Sequence, residues 1–283
     1  MIWSISNIAW AFDDRLQAYA TLAQQGFGGL EIAPGLFFAD AEDPFEPTPH
    51  QHDRALGEIA EAGLSLVSMQ SLLFGVNGAA LFEDAASLQR LETGMLRAIR
   101  LAGRLGIPNL VFGSPRQRVV PEGMSGSEAL DRAAVIFARL GDIAQAEGTV
   151  IAMEANPTVY GTNFLTHGEQ ALAFARGVCH PAVRFVLDIG AMHINDVFEQ
   201  TPGLIAEAGD LLSHVHFSEP QLAPAPADAA AAATVLRALE ATGYDRAVSI
   251  EMKVVSNTPV EAMAAAVGRL DQARQIATAR GTS

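Results

Sequence analysis

Four residues of the kind that hold metals and move protons, Glu154, Asp188, His216 and Glu251, lie 34, 28 and 35 residues apart. Each sits at the end of, or just after, a short apolar run, at 149–153, 183–187, 211–216 and 247–250. The intervals match one strand–helix unit. If the runs are parallel strands, the four side chains arrive together at one end of a sheet. Three carboxylates held that close cannot all stay ionised without a compensating cation. A single divalent ion meets that need. Three oxygen donors and an imidazole suit Mn2+ first, with Mg2+, Co2+ or Zn2+ as substitutes, and leave positions open for substrate oxygens. One acid at a strand end would more simply be a helix cap or an ion-pair partner; four in register point to a metal.

The elements that must position these residues alternate along the chain. Strands are predicted at 2–6, 28–32, 64–69, 109–112 and at the four runs above. Helices are predicted at about 13–25, 50–62, 84–105, 127–147, 167–177, 202–208, 228–242 and 259–279. Pro259 suits the first turn of the last helix. Eight strand–helix pairs within 283 residues favour a single-domain (β/α)8 TIM barrel spanning residues 1–283 over an open doubly wound sheet. No Gly-x-Gly-x-x-Gly follows the first strand, which removes the main support for a dinucleotide fold. Active sites of such barrels lie at the carboxyl ends of the strands. The residues there, in order, include Glu31, Gln70, Gly113 with Ser114, and then the four candidate ligands.

Composition narrows the partners. Eighteen Lys and Arg against 32 Asp and Glu give a formal net charge of -14, so a phosphate backbone would be repelled and nucleic acid is an unexpected partner. Cys179 is the single cysteine, which excludes an internal disulfide and a Cys-rich zinc site; it is expected to be semi-buried near a helix end. No apolar run approaches the ~20 residues of a membrane span. The N-terminal residues lack a signal-peptide pattern, and a cytoplasmic protein is expected, with a homo-oligomer as an open alternative to a monomer.

In these motifs the chain resembles the xylose-isomerase-like barrels, specifically the sugar phosphate isomerase/epimerase superfamily with its tagatose 3-epimerase type. The matching segments are Met153-Glu-Ala-Asn-Pro157, Leu187-Asp-Ile-Gly190, His214-Val-His216 and Ser249-Ile-Glu251, and their order and spacing carry the likeness. The resemblance implies that Glu154, Asp188, His216 and Glu251 ligate the metal and that Glu154 and Glu251 transfer protons on opposite faces of a sugar or polyol. The metal would hold a carbonyl and an adjacent hydroxyl oxygen and stabilise the enediolate formed by α-proton removal. Two opposed bases give epimerisation; a single base that returns its proton to the neighbouring carbon gives aldose–ketose isomerisation.

Two positions depart from the family pattern. Many members carry His three residues after the Asp ligand, where this chain has Ala191, with His193 nearby as a possible replacement. Many also carry Arg shortly after the His ligand, where this chain reads Phe217-Ser-Glu-Pro-Gln-Leu222. Other substrate-binding candidates are Glu31, Gln70 and Lys253, with Arg116 and Arg118 placed to hold a phosphate or carboxylate. Trp10, Phe37 and Phe74 are expected to form an apolar wall, and Tyr160 and Asn163 to cover the site. Of the two adjacent histidines, His216 is expected to point inward as the last residue of its strand. His214 is assigned to the opposite face, between sheet and helices. The alternatives are a dehydratase or lyase of the inosose or dehydroshikimate type, a non-catalytic sugar-binding barrel and, least of all, an abasic-site endonuclease, which would need more histidine ligands.

Overall fold

The computed structural model describes residues 1–279. Its elements follow the chain as β1 (Ile2–Ser6), α1 (Arg15–Gln24), β2 (Gly29–Ile32), α2 (Pro34–Phe37), α3 (Pro49–Glu61), β3 (Ser65–Met69), α4 (Ala85–Leu105), β4 (Asn109–Phe112), α5 (Gly126–Ala146), β5 (Val150–Glu154), α6 (Gly168–Val178), β6 (Val183–Asp188), α7 (Ile189–Ile194), α8 (Thr201–Ala208), β7 (Leu212–Ser218), α9 (Ala229–Ala241), β8 (Ala247–Glu251) and α10 (Pro259–Ala279). Every strand pairs in parallel with its neighbours in sequence, and β1 pairs with β8, so the sheet closes into a (β/α)8 barrel.

The helices form where local chemistry favours them. Thr48 and Gln51 make a reciprocal capping box at the start of α3. Asp84 accepts from the Ser87 N–H to begin α4, and Gly106, at φ 66°, ends it in the left-handed conformation that glycine adopts without strain. One face of α4 buries Leu91, Met95, Ala98, Ile99, Ala102 and Leu105 against the sheet, at the three- and four-residue spacing of an amphipathic helix.

The barrel interior is polar in places. Ser4 and Ser249 approach at 2.6 Å, and Asn109 donates to Ser68 at 3.0 Å while accepting from Ser213 at 2.8 Å. Above them Val111, Ala152 and Val186 form a small dry layer. The pairing register slips between Leu30 and Glu31 where β2 meets β3, and between Phe185 and Val186 where β6 meets β7. Such bulges re-aim the side chains beyond them, here Glu31 and Asp188.

Two helices were not expected from sequence, α2 and α7, each one turn or little more. Both follow a strand directly, without room for the apolar periodicity that marks a longer helix. Cys179 also differs from expectation. It is exposed, and at φ 51° it caps α6 in the left-handed region.

Candidate functional site

At the carboxyl ends of β5 to β8, Glu154, Asp188, His216 and Glu251 each offer a ligand atom, and the four atoms lie within 4.8 Å of one another. His216 is fully buried at the centre. Its Nδ1 is 3.1 Å from Glu154 Oε1, 3.4 Å from Glu251 Oε2 and 3.8 Å from Asp188 Oδ2. The register Asp188↔His216 between β6 and β7 places this part of the group side by side.

The electrostatics follow from packing so many acids out of water. Burial, then the neighbouring Glu154, pushes the Asp188 carboxyl up to about 6. Burial also drives Glu251 well above the usual carboxylate range, and Glu154, Asp188 and Glu31 add to the effect. Burial alone would lower the His216 imidazole, but Glu31 and Glu251 outweigh it and raise it well above its ordinary value. A divalent cation at Nδ1 would replace that proton and neutralise the acids together. The donor set therefore fits a hard or borderline ion held by three carboxylates and one imidazole.

Beneath the cluster lies the residue most altered from its expected place. Glu31, expected on the substrate wall, has no exposed surface. Its Oε1 accepts from Gln70 Nε2 at 2.9 Å, and its Oε2 lies 3.1 Å from His216 Nε2 and 2.8 Å from His214 Nε2. The Gln70 amide nitrogen also donates to Ser6 Oγ at 2.6 Å. Glu31 thus fixes the far nitrogen of His216, the arrangement by which a carboxylate orients a metal-binding imidazole. Despite complete burial, the charge of His216, with His214 adding to it, keeps the Glu31 carboxyl below the usual range; burial lowers the imidazole of His214 itself.

The expectation for His214 is corrected. Residues two apart on a strand share a face, so His214 points inward with His216, their ring centroids 5.0 Å apart. Nor is His216 the last residue of its strand, since β7 runs on to Ser218. Glu31, His214 and His216 make a second group of potential ligands, but it shares His216 with the first, and the close contacts above already pair its members.

Arg118, expected to hold a substrate phosphate or carboxylate, is also buried completely and donates to the Glu154 carbonyl at 2.8 Å and to Asn156 Oδ1 at 2.9 Å. Burial lowers its guanidinium to about 10, a loss that leaves it charged. It therefore does not offer itself to a substrate anion. Arg116 and Lys253 remain exposed on the loops after β4 and β8. His193 stacks on Phe198 at 4.4 Å, their planes 8° apart, and lines a cavity of about 250 Å3 with Phe198, Glu199, Ser218 and Glu219. Ser218 in turn donates to Asp188 Oδ2 at 2.7 Å, so His193 stands behind the cluster.

Of the aromatic wall, Trp10 and Phe37 are buried packing residues and Phe74 is exposed. Tyr160 accepts from the Gln221 N–H at 3.1 Å, bridging the loops after β5 and β7. Its phenol is raised by burial, with Asp188, Glu251 and Glu154 adding to the shift. Asn163 instead ties down Val120 through both its side-chain atoms. Sequence reasoning missed Asn156 and Ser218, whose only signal was proximity to a candidate ligand or to its strand end.

Comparison with known proteins places this geometry in context. The chain superposes on a 3-keto-D-glucoside 4-epimerase from E. coli with a TM-score of 0.77 at 17% identity, covering 97% of this chain and 99% of that one. A D-psicose 3-epimerase from Clostridium cellulolyticum H10 gives 0.76 at 16%, covering 98% and 99%. An L-ribulose 3-epimerase gives 0.73 at 20%, covering 97% and 96%. At such identities the likeness establishes the fold. No curated protein matches the sequence. A family model does match, over residues 19–273, and by it the chain belongs to the xylose isomerase-like TIM barrel family.

Proposed function

We propose that the chain is a divalent-metal-dependent isomerase of small keto or aldo sugars, acting as an epimerase or an aldose–ketose isomerase. The observation that carries this reading is the convergence of Glu154, His216 and Glu251, all buried, with the half-buried Asp188 at the catalytic end of the barrel. The structural neighbours named above, epimerases of keto sugars, support it.

In this reading the four side chains hold one ion, Mn2+ first among the candidates. When bound, it supplies the positive charge that stabilises the anion left by α-proton removal. Glu154 and Glu251, reaching in from β5 and β8, are the two groups that take and return protons, one on each face of the substrate carbon. Asp188 is fixed by Ser218 and by the N–H of Ala191, which it caps at the start of α7; it serves as a ligand and not as a base. Glu31 orients His216. Arg116 and Lys253, exposed at the mouth, meet the oxygens or an anionic group of the incoming substrate. With Ala191 and Leu222 apolar, recognition of the far hydroxyls rests on other loops.

The test is elemental analysis of wild type and Glu251→Gln, followed by solvent deuterium exchange into a panel of ketoses and inososes. About one metal per chain with exchange lost in the variant is expected. Elimination of water in place of exchange would select the dehydratase reading. Failure to bind any divalent ion would refute the proposal.

A further inference from the structure

The carboxylates assigned to proton transfer are not equivalent, and the difference lies in what holds them. Glu154 is gripped. Asn156 Nδ2 donates to its Oε2 at 2.8 Å, and Arg118 donates both to its main-chain carbonyl and to Asn156 Oδ1. An arginine can only donate, so it compels the Asn156 oxygen to face it and turns the amide nitrogen toward Glu154. Gly113 presses from the other side: a Cβ there would collide with Glu154 Oε2. One oxygen of Glu154 is thus committed to the protein, and Oε1 alone is left to the cluster.

Asp188 and His216 are held as well, by Ser218 with the Ala191 N–H and by Glu31. Glu251 differs. Among the described residues no side-chain or main-chain donor makes a hydrogen bond to its carboxylate, and its nearest charged nitrogen is His216 Nδ1 at 3.4 Å.

We propose that Arg118 and Asn156 are positioning residues that lock Glu154 as a one-oxygen metal ligand, leaving Glu251 as the single carboxylate of the set free to reorient. This rests on the reading of the cluster as a metal site. It also accounts for a buried guanidinium with no carboxylate bonded to it and with its Nε unpartnered. A buried charge is costly, and a neutral side chain would serve mere packing. A fixed cation one residue removed from Glu154 offsets the acids and sets the direction of the amide.

The experiment uses the full-length chain stripped of metal, with Mn2+ as the probe of affinity and Co2+ absorption as the probe of ligand geometry. Asn156→Asp keeps the shape but replaces the donor by an acceptor, Asn156→Ala deletes it, and Arg118→Met removes the charge. Each is expected to weaken Mn2+ binding by about 10- to 100-fold and to change the Co2+ spectrum, with an unchanged far-UV dichroism spectrum. Arg118→Lys, which keeps the charge but cannot span both acceptors, should recover part of the loss. Should Arg118→Met fail to fold, the two Asn156 variants decide. Wild-type Mn2+ affinity together with a wild-type Co2+ spectrum in a folded Asn156 variant would overturn the inference. Wild-type protein that binds neither ion would instead refute the metal site on which it rests.

Discussion

At the scale of single residues, Glu31 shows how far a site extends beyond the groups that touch a ligand. It is fully buried, yet its Oε2 contacts the nitrogen of His216 that faces away from the cluster. Glu31→Gln is expected to leave the chain folded and to lower Mn2+ affinity by about 10-fold or more, measured by titration of the metal-free protein. The mouth residues behave differently. Arg116→Gln and Lys253→Met are expected to raise KM several-fold with little change in kcat, because neither touches the acids. A fall in kcat alone would remove them from substrate binding. Protons compete with the ion at Asp188, whose carboxyl is held at about 6. Glu251 and His216 also hold their protons well above the ordinary ranges. Metal affinity is therefore expected to weaken steadily as pH falls from about 8 to about 5, by up to roughly tenfold per pH unit for each proton displaced. Titrations from pH 5 to 8 measure this directly.

At the scale of elements, two glycines, Gly113 against Glu154 and Gly190 against Ser218, set the clearances. A Cβ at Gly190, in α7, would lie 2.7 Å from Ser218 Oγ and 3.1 Å from the Glu219 carbonyl. Gly190→Ala would therefore push apart the Ser218–Asp188 pair, and a loss of metal affinity out of proportion to any fall in Tm is expected. The elements were legible in sequence to the extent that they are periodic. α4 shows its face over 21 residues, whereas α10 blurs its face with alanines on both sides, and the strand ends announce themselves by a polar residue after an apolar run. α2 and α7 are too short for a period to register. The inward turn of His214 was available from the two-residue repeat of a strand, and assigning it outward was an error of that rule's application. The contacts of Arg118 with Asn156 and of Glu31 with His216 span 38 and 185 residues. No local pattern encodes such pairs; they exist only once the barrel has closed.

For the molecule as a whole, metal content and pH work against each other. In the metal-free chain the folded Asp188 value of about 6 exceeds the 3.8 of the free side chain. The folded state therefore binds that proton more tightly, and stability declines as pH rises from about 4 to about 6. Mn2+ reverses the trend, since it binds the ionised folded site and adds about 2.7 kcal/mol at a hundredfold excess over Kd. Thermal melts at pH 5 and pH 7.5, with and without Mn2+, are expected to cross. The metal-free chain melts higher at pH 5, and the loaded chain gains more at pH 7.5. Equal shifts at both pH values would show that the acids do not hold the ion.

The reach of Glu31 from β2 to the His216 of β7 has a consequence for assembly. The four candidate ligands belong to β5–β8, the second half of the chain, but the imidazole among them is steadied by the first half. A fragment holding only the last four strands would carry every ligand and still lack the brace, so the ion is captured at full strength only by a completed ring. Metal uptake during refolding would then report the last event of folding, the meeting of the two halves, and its rate would trail the recovery of helix signal.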